Sequence, residues 1–162
     1  MKKAIFLDRD GVINKKAVEH DYIKSWEDFV LLDGVIKTLK IFHSLGYIIV
    51  VVTNQAGISK GLMSEKTVKE IHTNLNKLLS KNGTKIDYFY YCPHKDQDNC
   101  ECRKPKPGMI KKAIEDLDID LKSSILIGDT ETDRQLGRNV NVRTIIVKTD
   151  GNLYKSILGF SQ

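Results

Sequence analysis

Residues 4–14 read AIFLDRDGVIN, an apolar run that ends on two aspartates and a glycine. An unbroken apolar run of this length is typical of a parallel strand that is buried on both faces of its sheet. Asp8 and Asp10 follow the run directly, and Gly11 allows the chain to turn away from the strand end. The stretch therefore predicts a buried strand that brings two carboxylates to one edge of a sheet.

Four further apolar runs follow, and helical patterns lie between them. The runs are YIIVVVT (47–53), YFYYC (88–92), SILIGD (124–129) and TIIVK (144–148). Apolar residues at helical spacing, or signals typical of helix ends, predict helices at 34–45, 64–79, 107–117 and 131–138. Ser64 is a candidate N-cap for the second of these helices, and Pro107 fits the first turn of the third. This alternation predicts an α/β fold, a doubly wound Rossmann-like parallel sheet with right-handed crossovers.

Length and composition narrow the class of protein. The chain has 162 residues with 41% apolar and 29% charged residues, which predicts one globular domain spanning 1–162, and we expect a monomer. No segment approaches the length of a membrane span, and no insertion is large enough for a cap domain.

The net charge of +5 suits an anionic partner. The three clustered cysteines are a poor disulfide framework, so we expect a reducing, cytoplasmic location.

The strand ends carry most of the chemistry-bearing residues. In doubly wound folds, ligands bind beyond the carboxyl ends of the strands. Asp8, Asp10 and Asp129 follow the first and fourth predicted strands, so we expect three carboxylates to converge there. Each motif alone is typical of an ordinary turn, but their joint occurrence favours a site for a hard cation such as Mg²⁺.

A second set of ligand-type residues follows the third strand. Cys92, His94, Cys100 and Cys102 supply the donors of a closed structural Cys₃His zinc site, which predicts a zinc-binding loop at 92–102. The alternative is a set of buried free thiols beside a surface histidine. With four protein ligands, the zinc would be structural. A basic cluster that includes Arg103 comes directly after the loop.

Four ordered segments resemble the motifs of the haloacid dehalogenase superfamily of phosphotransferases: FLDRDGVIN, VVTNQAG, RKPKPGM and LIGDTETD. The resemblance implies that Asp8 is the nucleophile and that Asp10 is the general acid and base. Crowding with Asp8 is expected to raise the pKa of Asp10, so that it can carry a proton at neutral pH.

The resemblance also implies the remaining site residues. Mg²⁺ would be held by Asp8, by the backbone carbonyl of Asp10 and by Asp129. Asp133 would position these ligands without binding the cation itself. Lys104 would neutralise phosphoryl charge and restrain Asp8. Substrate contacts are expected from these residues: Thr53, Asn54, Gln55, Lys60, Arg103 and Lys104.

The cysteine loop and the stretches DYIKSWEDFVLLDGV, NQAGISKGLMSE and CRKPKPGM are similar to one branch of the superfamily. This branch comprises the heptose 1,7-bisphosphate and histidinol-phosphate phosphatases with a zinc loop. The resemblance implies hydrolysis of the C7 phosphate of D-glycero-D-manno-heptose 1,7-bisphosphate in nucleotide-activated heptose and surface glycan synthesis. Thr130 departs from the branch, which commonly has a basic residue at that position.

Three alternative functions remain open. One is hydrolysis of histidinol phosphate by the same chemistry. Another is a zinc-loop module that binds nucleic acid through its basic charge, which leaves the carboxylates unexplained. A DNA 3′-phosphatase is the third, although no additional groove-forming segment is apparent. We expect a small phosphorylated metabolite, a sugar bisphosphate, as the partner, and neither nucleic acid nor a membrane.

Overall fold

The computed structural model, which describes residues 1–159, contains five strands that pair in parallel. They are β1 (Ala4–Leu7), β2 (Ile48–Asn54), β3 (Tyr88–Cys92), β4 (Ile125–Gly128) and β5 (Arg143–Ile146). Their spatial order is β3-β2-β1-β4-β5, so the chain winds outward from β1 in both directions. The predicted doubly wound α/β sheet is confirmed.

Five α-helices accompany the strands in the described part of the chain. They are α1 (Val35–Ser44), α2 (Glu65–Lys81), α3 (Gly108–Leu117), α4 (Glu131–Val140) and α5 (Leu153–Leu158). The hydroxyl of Ser64 accepts the backbone N–H of Thr67, which confirms the predicted N-cap of α2. Pro107 lies outside α3 and not in its first turn, because its ψ of 5° is not helical.

Helices cover both faces of the sheet. Ile5 and Leu7 of β1 point to one face, where α1 and α2 contribute Leu39 and Leu75 to the core. Ala4 and Phe6 point to the other face, which is covered by α3 and α4. All four β1 side chains are fully buried. Burial on both faces explains why the strands are continuous apolar runs with no polar alternation.

The register of the sheet brings the polar strand ends together. Leu7 pairs with Val51 of β2 and with Ile127 of β4. The residues just beyond these pairs therefore meet at one edge of the sheet, and they include Asp8 and Asp129. Within residues 1–159, no helix has both the length and the apolar character needed to cross a lipid bilayer.

Candidate active site

A cleft of about 260 Å³ opens at the edge where the carboxyl ends of the strands meet. The winding direction reverses there between β1 and β4, which is where doubly wound folds bind ligands. Residues predicted from the sequence that line the cleft are Asp8, Asp10, Asn54, Arg103, Lys104 and Asp133. Its other walls include Lys16, Tyr22, Thr130 and Thr132.

The turn after β1 is tight and depends on Gly11. The carbonyl of Arg9 accepts the backbone N–H groups of Val12 and Ile13, at 3.1 and 2.8 Å. Gly11 has φ of 91°, in the region that favours glycine. A Cβ at this position would also lie 2.3 Å from Oδ2 of Asp129. Gly11 thus allows the loop after β1 to approach the end of β4 closely.

Lys104 is buried between two carboxylates. Its Nζ lies 3.0 Å from Oδ1 of Asp8 and 2.9 Å from Oδ1 of Asp133. Burial acts to lower the pKa of Lys104, but the charges of Asp8 and Asp133 outweigh it and raise the pKa above its ordinary value. The lysine is therefore a fixed positive charge beside Asp8, as the resemblance implied.

Asp8 has a strongly perturbed pKa. Burial raises it from the ordinary 3.8 to about 8, Lys104 opposes the rise, and the neighbouring Asp133 and Asp129 add to it. A carboxylate must be ionised to act as a nucleophile. A further positive charge near Asp8 would therefore favour its reactive form at neutral pH.

Asp8, Asp129 and Asp133 form a cluster whose carboxylate oxygens all lie within 4.8 Å of one another. Oδ2 of Asp129 accepts a hydrogen bond from the hydroxyl of Thr149 at 2.7 Å and lies 3.4 Å from Nζ of Lys16. Its Oδ1 is buried and has no hydrogen-bond partner within residues 1–159. A buried oxygen without a partner, in a cluster of hard donors, fits a Mg²⁺ ligand.

Asp133 is already engaged by the protein. Its Oδ1 pairs with Lys104, and its Oδ2 accepts the backbone N–H groups of Asp129 and Thr130 and the Thr130 hydroxyl. These bonds also cap the N-terminus of α4. A carboxylate with both oxygens occupied is suited to orient Asp129 and Lys104 and has little capacity left for a cation.

The side chain of Asp10 does not join this cluster, so the expected convergence of the Asp8, Asp10 and Asp129 carboxylates is wrong. Oδ1 of Asp10 lies 2.9 Å from Nη2 of Arg9 and accepts the amide N–H of Asn14, and Oδ2 accepts the amide N–H of Gln55.

The expected rise in the pKa of Asp10 is also wrong for this arrangement. Burial acts to raise the pKa, but the charge of Arg9 and the hydrogen bonds from Asn14, Arg9 and Gln55 outweigh it and lower the pKa. Asp10 is therefore ionised here at neutral pH, the form in which a carboxylate accepts a proton.

The end of β2 contributes three polar side chains with different surroundings. Thr53 and Gln55 are buried, and Gln55 donates to the hydroxyl of Thr53 at 2.9 Å as well as to Asp10. Asn54 lines the cleft, and its amide group bonds to both backbone groups of Lys104. Thus Gln55 and Asn54 hold Asp10 and the Lys104 loop in place.

Lys60 lies on a loop beside the cleft. Within residues 1–159 its Nζ has no carboxylate partner, and it donates to the hydroxyl of Tyr22 at 2.8 Å. The ring of Tyr22 packs against Gly57, where an added Cβ would lie 3.0 Å from the ring. The contact between Lys60 and Tyr22 joins the segment after β1 to the segment after β2. Tyr22 itself lines the cleft.

The structure brings Cys92, His94, Cys100 and Cys102 together with donor atoms within 4.8 Å of one another. Nδ1 of His94 lies 3.5 Å from the sulfur of Cys92 and 3.3 Å from that of Cys102. Two zinc–sulfur bonds in a tetrahedron place their sulfurs about 3.8 Å apart, and the Cys92 and Cys100 sulfurs are separated by 3.6 Å. The sulfurs of Cys92 and Cys102 lie closer, at 2.9 Å. The donor set and its clustering fit a structural Zn²⁺ ion.

Arg103 links this cysteine loop to the cleft. Its backbone N–H donates to the sulfur of Cys100 at 3.3 Å. Its side chain pairs with Asp96 at 2.7 Å and donates to the carbonyl of His94. The guanidinium group is thus anchored by the loop while Arg103 lines the cleft.

Several residues of the site carry no signal in the sequence. Lys16 and Thr149 contact Asp129 from loops that have no recognisable motif. Arg9 stands between the two aspartates in the turn after β1, and its side chain is fully buried. The buried His72 comes from α2, where its spacing is that of an ordinary core position.

The fold and the site together define a phosphatase of the haloacid dehalogenase type. A carboxylate pair follows β1, a buried threonine stands one residue before the end of β2, a buried lysine follows β3, and an acidic pair follows β4. The chain belongs to the polynucleotide kinase 3 phosphatase family, whose sequence model matches residues 3–151.

Curated relatives and solved structures agree with this class. The D-glycero-beta-D-manno-heptose-1,7-bisphosphate 7-phosphatase of Pasteurella multocida is 40% identical over 156 residues, covering 92% of this chain and 83% of the relative. The corresponding alpha enzyme of Campylobacter jejuni is 40% identical over 157 residues, covering 94% and 88%. The D,D-heptose 1,7-bisphosphate phosphatase of B. bronchiseptica, complexed with magnesium and phosphate, matches with a TM-score of 0.85 and 32% identity, covering 97% of this chain and 86% of the other.

Proposed function

We propose that this phosphatase hydrolyses the C7 phosphate of D-glycero-D-manno-heptose 1,7-bisphosphate through an aspartyl-phosphate intermediate. The observation that carries the chemistry is the buried Asp8–Lys104–Asp133 arrangement at the end of β1, beside Oδ1 of Asp129, which has no hydrogen-bond partner among the described residues. The substrate is that of two relatives which are 40% identical to the chain over 156 and 157 residues.

In the first step, a carboxylate oxygen of Asp8 attacks phosphorus, and the bond between phosphorus and the leaving sugar oxygen breaks. Oδ1 of Asp8 already accepts the N–H of Arg9 at 2.8 Å and pairs with Lys104, which leaves Oδ2 to attack. Asp10 takes up a proton from solvent before this step and gives it to the leaving oxygen. Thr53 and Lys104 hold the phosphoryl oxygens, where negative charge is spread in the transition state.

In the second step, Asp10 takes a proton from water while the water oxygen attacks phosphorus. The bond to Asp8 breaks, and inorganic phosphate leaves. When bound, Mg²⁺ would shield the charge of the phosphoryl group, and Asp8, Asp129 and the backbone carbonyl of Asp10 are the residues that would hold it.

The cleft supports a small substrate. Its volume of about 260 Å³ is close to the lower limit of small-molecule sites. Arg103 and Lys16 line the cleft, and Lys60 stands beside it, which suits a substrate with a second phosphate. We assign Arg103 and Lys60 to substrate binding on this basis. The structural zinc at the cysteine loop would hold Arg103 in place.

A comparison of kcat/KM for four phosphomonoesters tests the proposal. The substrates are the two anomers of heptose 1,7-bisphosphate, histidinol phosphate and an oligonucleotide 3′-phosphate. We expect one heptose anomer to exceed both other classes at least about tenfold, a difference of ~1.4 kcal/mol in transition-state stabilisation. The product should be heptose 1-phosphate. A higher kcat/KM for histidinol phosphate or for the oligonucleotide would overturn the substrate assignment.

We further propose that the chain acts as a single-domain, cytoplasmic monomer in the supply of nucleotide-activated heptose for surface glycans. None of the three cysteines forms a disulfide within residues 1–159, which suits a reducing compartment. Light scattering of the purified protein tests the oligomeric state, and a mass of about twice 18.4 kDa would contradict it.

A further inference from the structure

Arg9 is a fully buried charged side chain next to the proposed acid and base. Its Nε and Nη2 lie 3.3 and 2.9 Å from Oδ1 of Asp10, and its carbon Cζ lies 5.9 Å from the centre of the Phe29 ring. Within residues 1–159, Asp10 is its ion-pair partner. A buried guanidinium is costly unless its donors are satisfied, so each contact of Arg9 contributes to the placement of Asp10.

A third nitrogen of the Arg9 guanidinium group, Nη1, contacts the ring of His72. Nη1 of Arg9 lies 3.2 Å from Nε2 of His72, which is 5% exposed and belongs to α2. Because arginine only donates, Nε2 must be the acceptor, and the imidazole is neutral with its proton on Nδ1. Burial and the charge of Arg9 lower the pKa of His72 to about 3, so the ring stays neutral at any working pH.

The ring of His72 is itself held in place by β3. It stacks on Phe89 with a centroid distance of 4.3 Å and an interplanar angle of 9°. The stack fixes the plane of the imidazole, and hence the direction of the acceptor lone pair on Nε2. A rigid chain of contacts thus runs from Phe89 through His72 and Arg9 to Asp10.

The two carboxylate oxygens of Asp10 therefore differ in the number of hydrogen bonds that they accept. Oδ1 is the acceptor for Nε and Nη2 of Arg9 and for the amide of Asn14. In the part of the chain that the structure describes, Oδ2 accepts one hydrogen bond, from Gln55 at 2.9 Å. Since a carboxylate oxygen has about two lone-pair sites, Oδ1 is saturated and Oδ2 retains room for a proton.

We propose that His72 is a positioning residue for Asp10: it holds the Arg9 guanidinium against Oδ1, so that Oδ2 is the oxygen that transfers the proton. The inference rests on the proposed function, in which Asp10 is the acid and base. In the first step the proton on Oδ2 passes to the leaving sugar oxygen as its bond to phosphorus breaks. In the second step Oδ2 takes a proton from the attacking water.

The test compares two substitutions of the same buried ring. His72→Phe keeps a stacking ring but removes the acceptor, whereas His72→Gln places an amide oxygen near the position of Nε2. Leu75→Val, one turn further along the same helix, is the control for loosened packing. Each variant is measured under single-turnover conditions, with enzyme in excess over the phosphomonoester that the unmodified enzyme hydrolyses fastest, and KM is measured separately.

We expect His72→Phe to lower the single-turnover rate about tenfold or more, part of the 10²–10⁴-fold that general acid–base catalysis contributes. KM should stay unchanged, His72→Gln should recover most of the rate, and Leu75→Val should keep it. In an Asp10→Asn background, His72→Phe should have no further effect, because its influence passes through Asp10.

Several results would overturn the inference. They are an unchanged rate in His72→Phe, equal losses in the Phe and Gln variants, a loss confined to KM, or a loss of the same size in the Asp10→Asn background. Full activity of Asp10→Asn alone would instead overturn the acid and base role in the proposed function. The two failures are therefore distinguishable.

Discussion

Asp8→Asn tests both the chemistry and the electrostatics of the site. The variant should lose turnover, because an amide cannot replace a carboxylate as the nucleophile. In the absence of Mg²⁺ it should also be more stable than the unmodified protein at pH 8. The reason is that Asp8 is buried beside Asp129 and Asp133, so its charge is unfavourable in the folded state.

The magnitude follows from the two pKa values of Asp8. The carboxyl has an ordinary pKa of 3.8 when the chain is unfolded and about 8 when it is folded. Between these values the folded state holds one more proton, so stability is lost as the pH rises through this window. One extra proton bound in the folded state lowers the free energy of unfolding by about 1.4 kcal/mol for each pH unit of increase. We therefore subtract the free energy of unfolding of the unmodified protein from that of Asp8→Asn. This difference should increase by up to about 1.4 kcal/mol per pH unit between pH 5 and 7.

Urea unfolding followed by circular dichroism at pH 5, 6, 7 and 8 measures this difference. Mg²⁺ must be omitted without adding a chelator, because a chelator would also remove zinc from the cysteine loop. Asp118→Asn is the control, since Asp118 is largely exposed and its variant should show no such slope. A pH-independent difference for Asp8→Asn, or a variant less stable than the unmodified protein at pH 8, would refute the reasoning.

Three further perturbations test other parts of the site. Lys104→Met removes the cation between two buried carboxylates, so kcat should fall about 10²–10³-fold and the free energy of unfolding at pH 7 by about 3–5 kcal/mol; steady-state kinetics and urea unfolding check this, and retained turnover would contradict it. Gly128→Ala would place a Cβ 2.3 Å from Cβ of Asp133, so we expect a loss of about 1–3 kcal/mol and a higher Mg²⁺ concentration for half-maximal activity, whereas Gly159→Ala, with only an ordinary 3.5 Å contact, should change neither. Metal analysis should find about one zinc per chain and a clear loss in Cys102→Ser; an unmodified protein free of zinc would count against the site.

The sequence alone determined the elements and the edge of the sheet that holds the site. Strand positions follow from apolar runs and helix boundaries from local signals such as Ser64, because both depend on residues close in the chain. The strand-end rule then placed Asp8, Asp129 and the cysteine loop correctly, since parallel strands direct all their carboxyl ends to one edge.

Tertiary structure alone decided the electrostatic state of these residues. Asp10 was expected to have a raised pKa, but Arg9 and Gln55 lower it, and Gln55 is 45 residues away in the chain. His72, which holds Arg9, is 63 residues from it.

The burial of Lys104 is likewise invisible in its local sequence, where it stands in a basic loop. A pKa depends on desolvation and on charges within a few ångströms, and both are set by segments that meet only when the chain folds. Residue type and order therefore reveal which groups are available, whereas packing decides which of them carry charge and which oxygen is free to react.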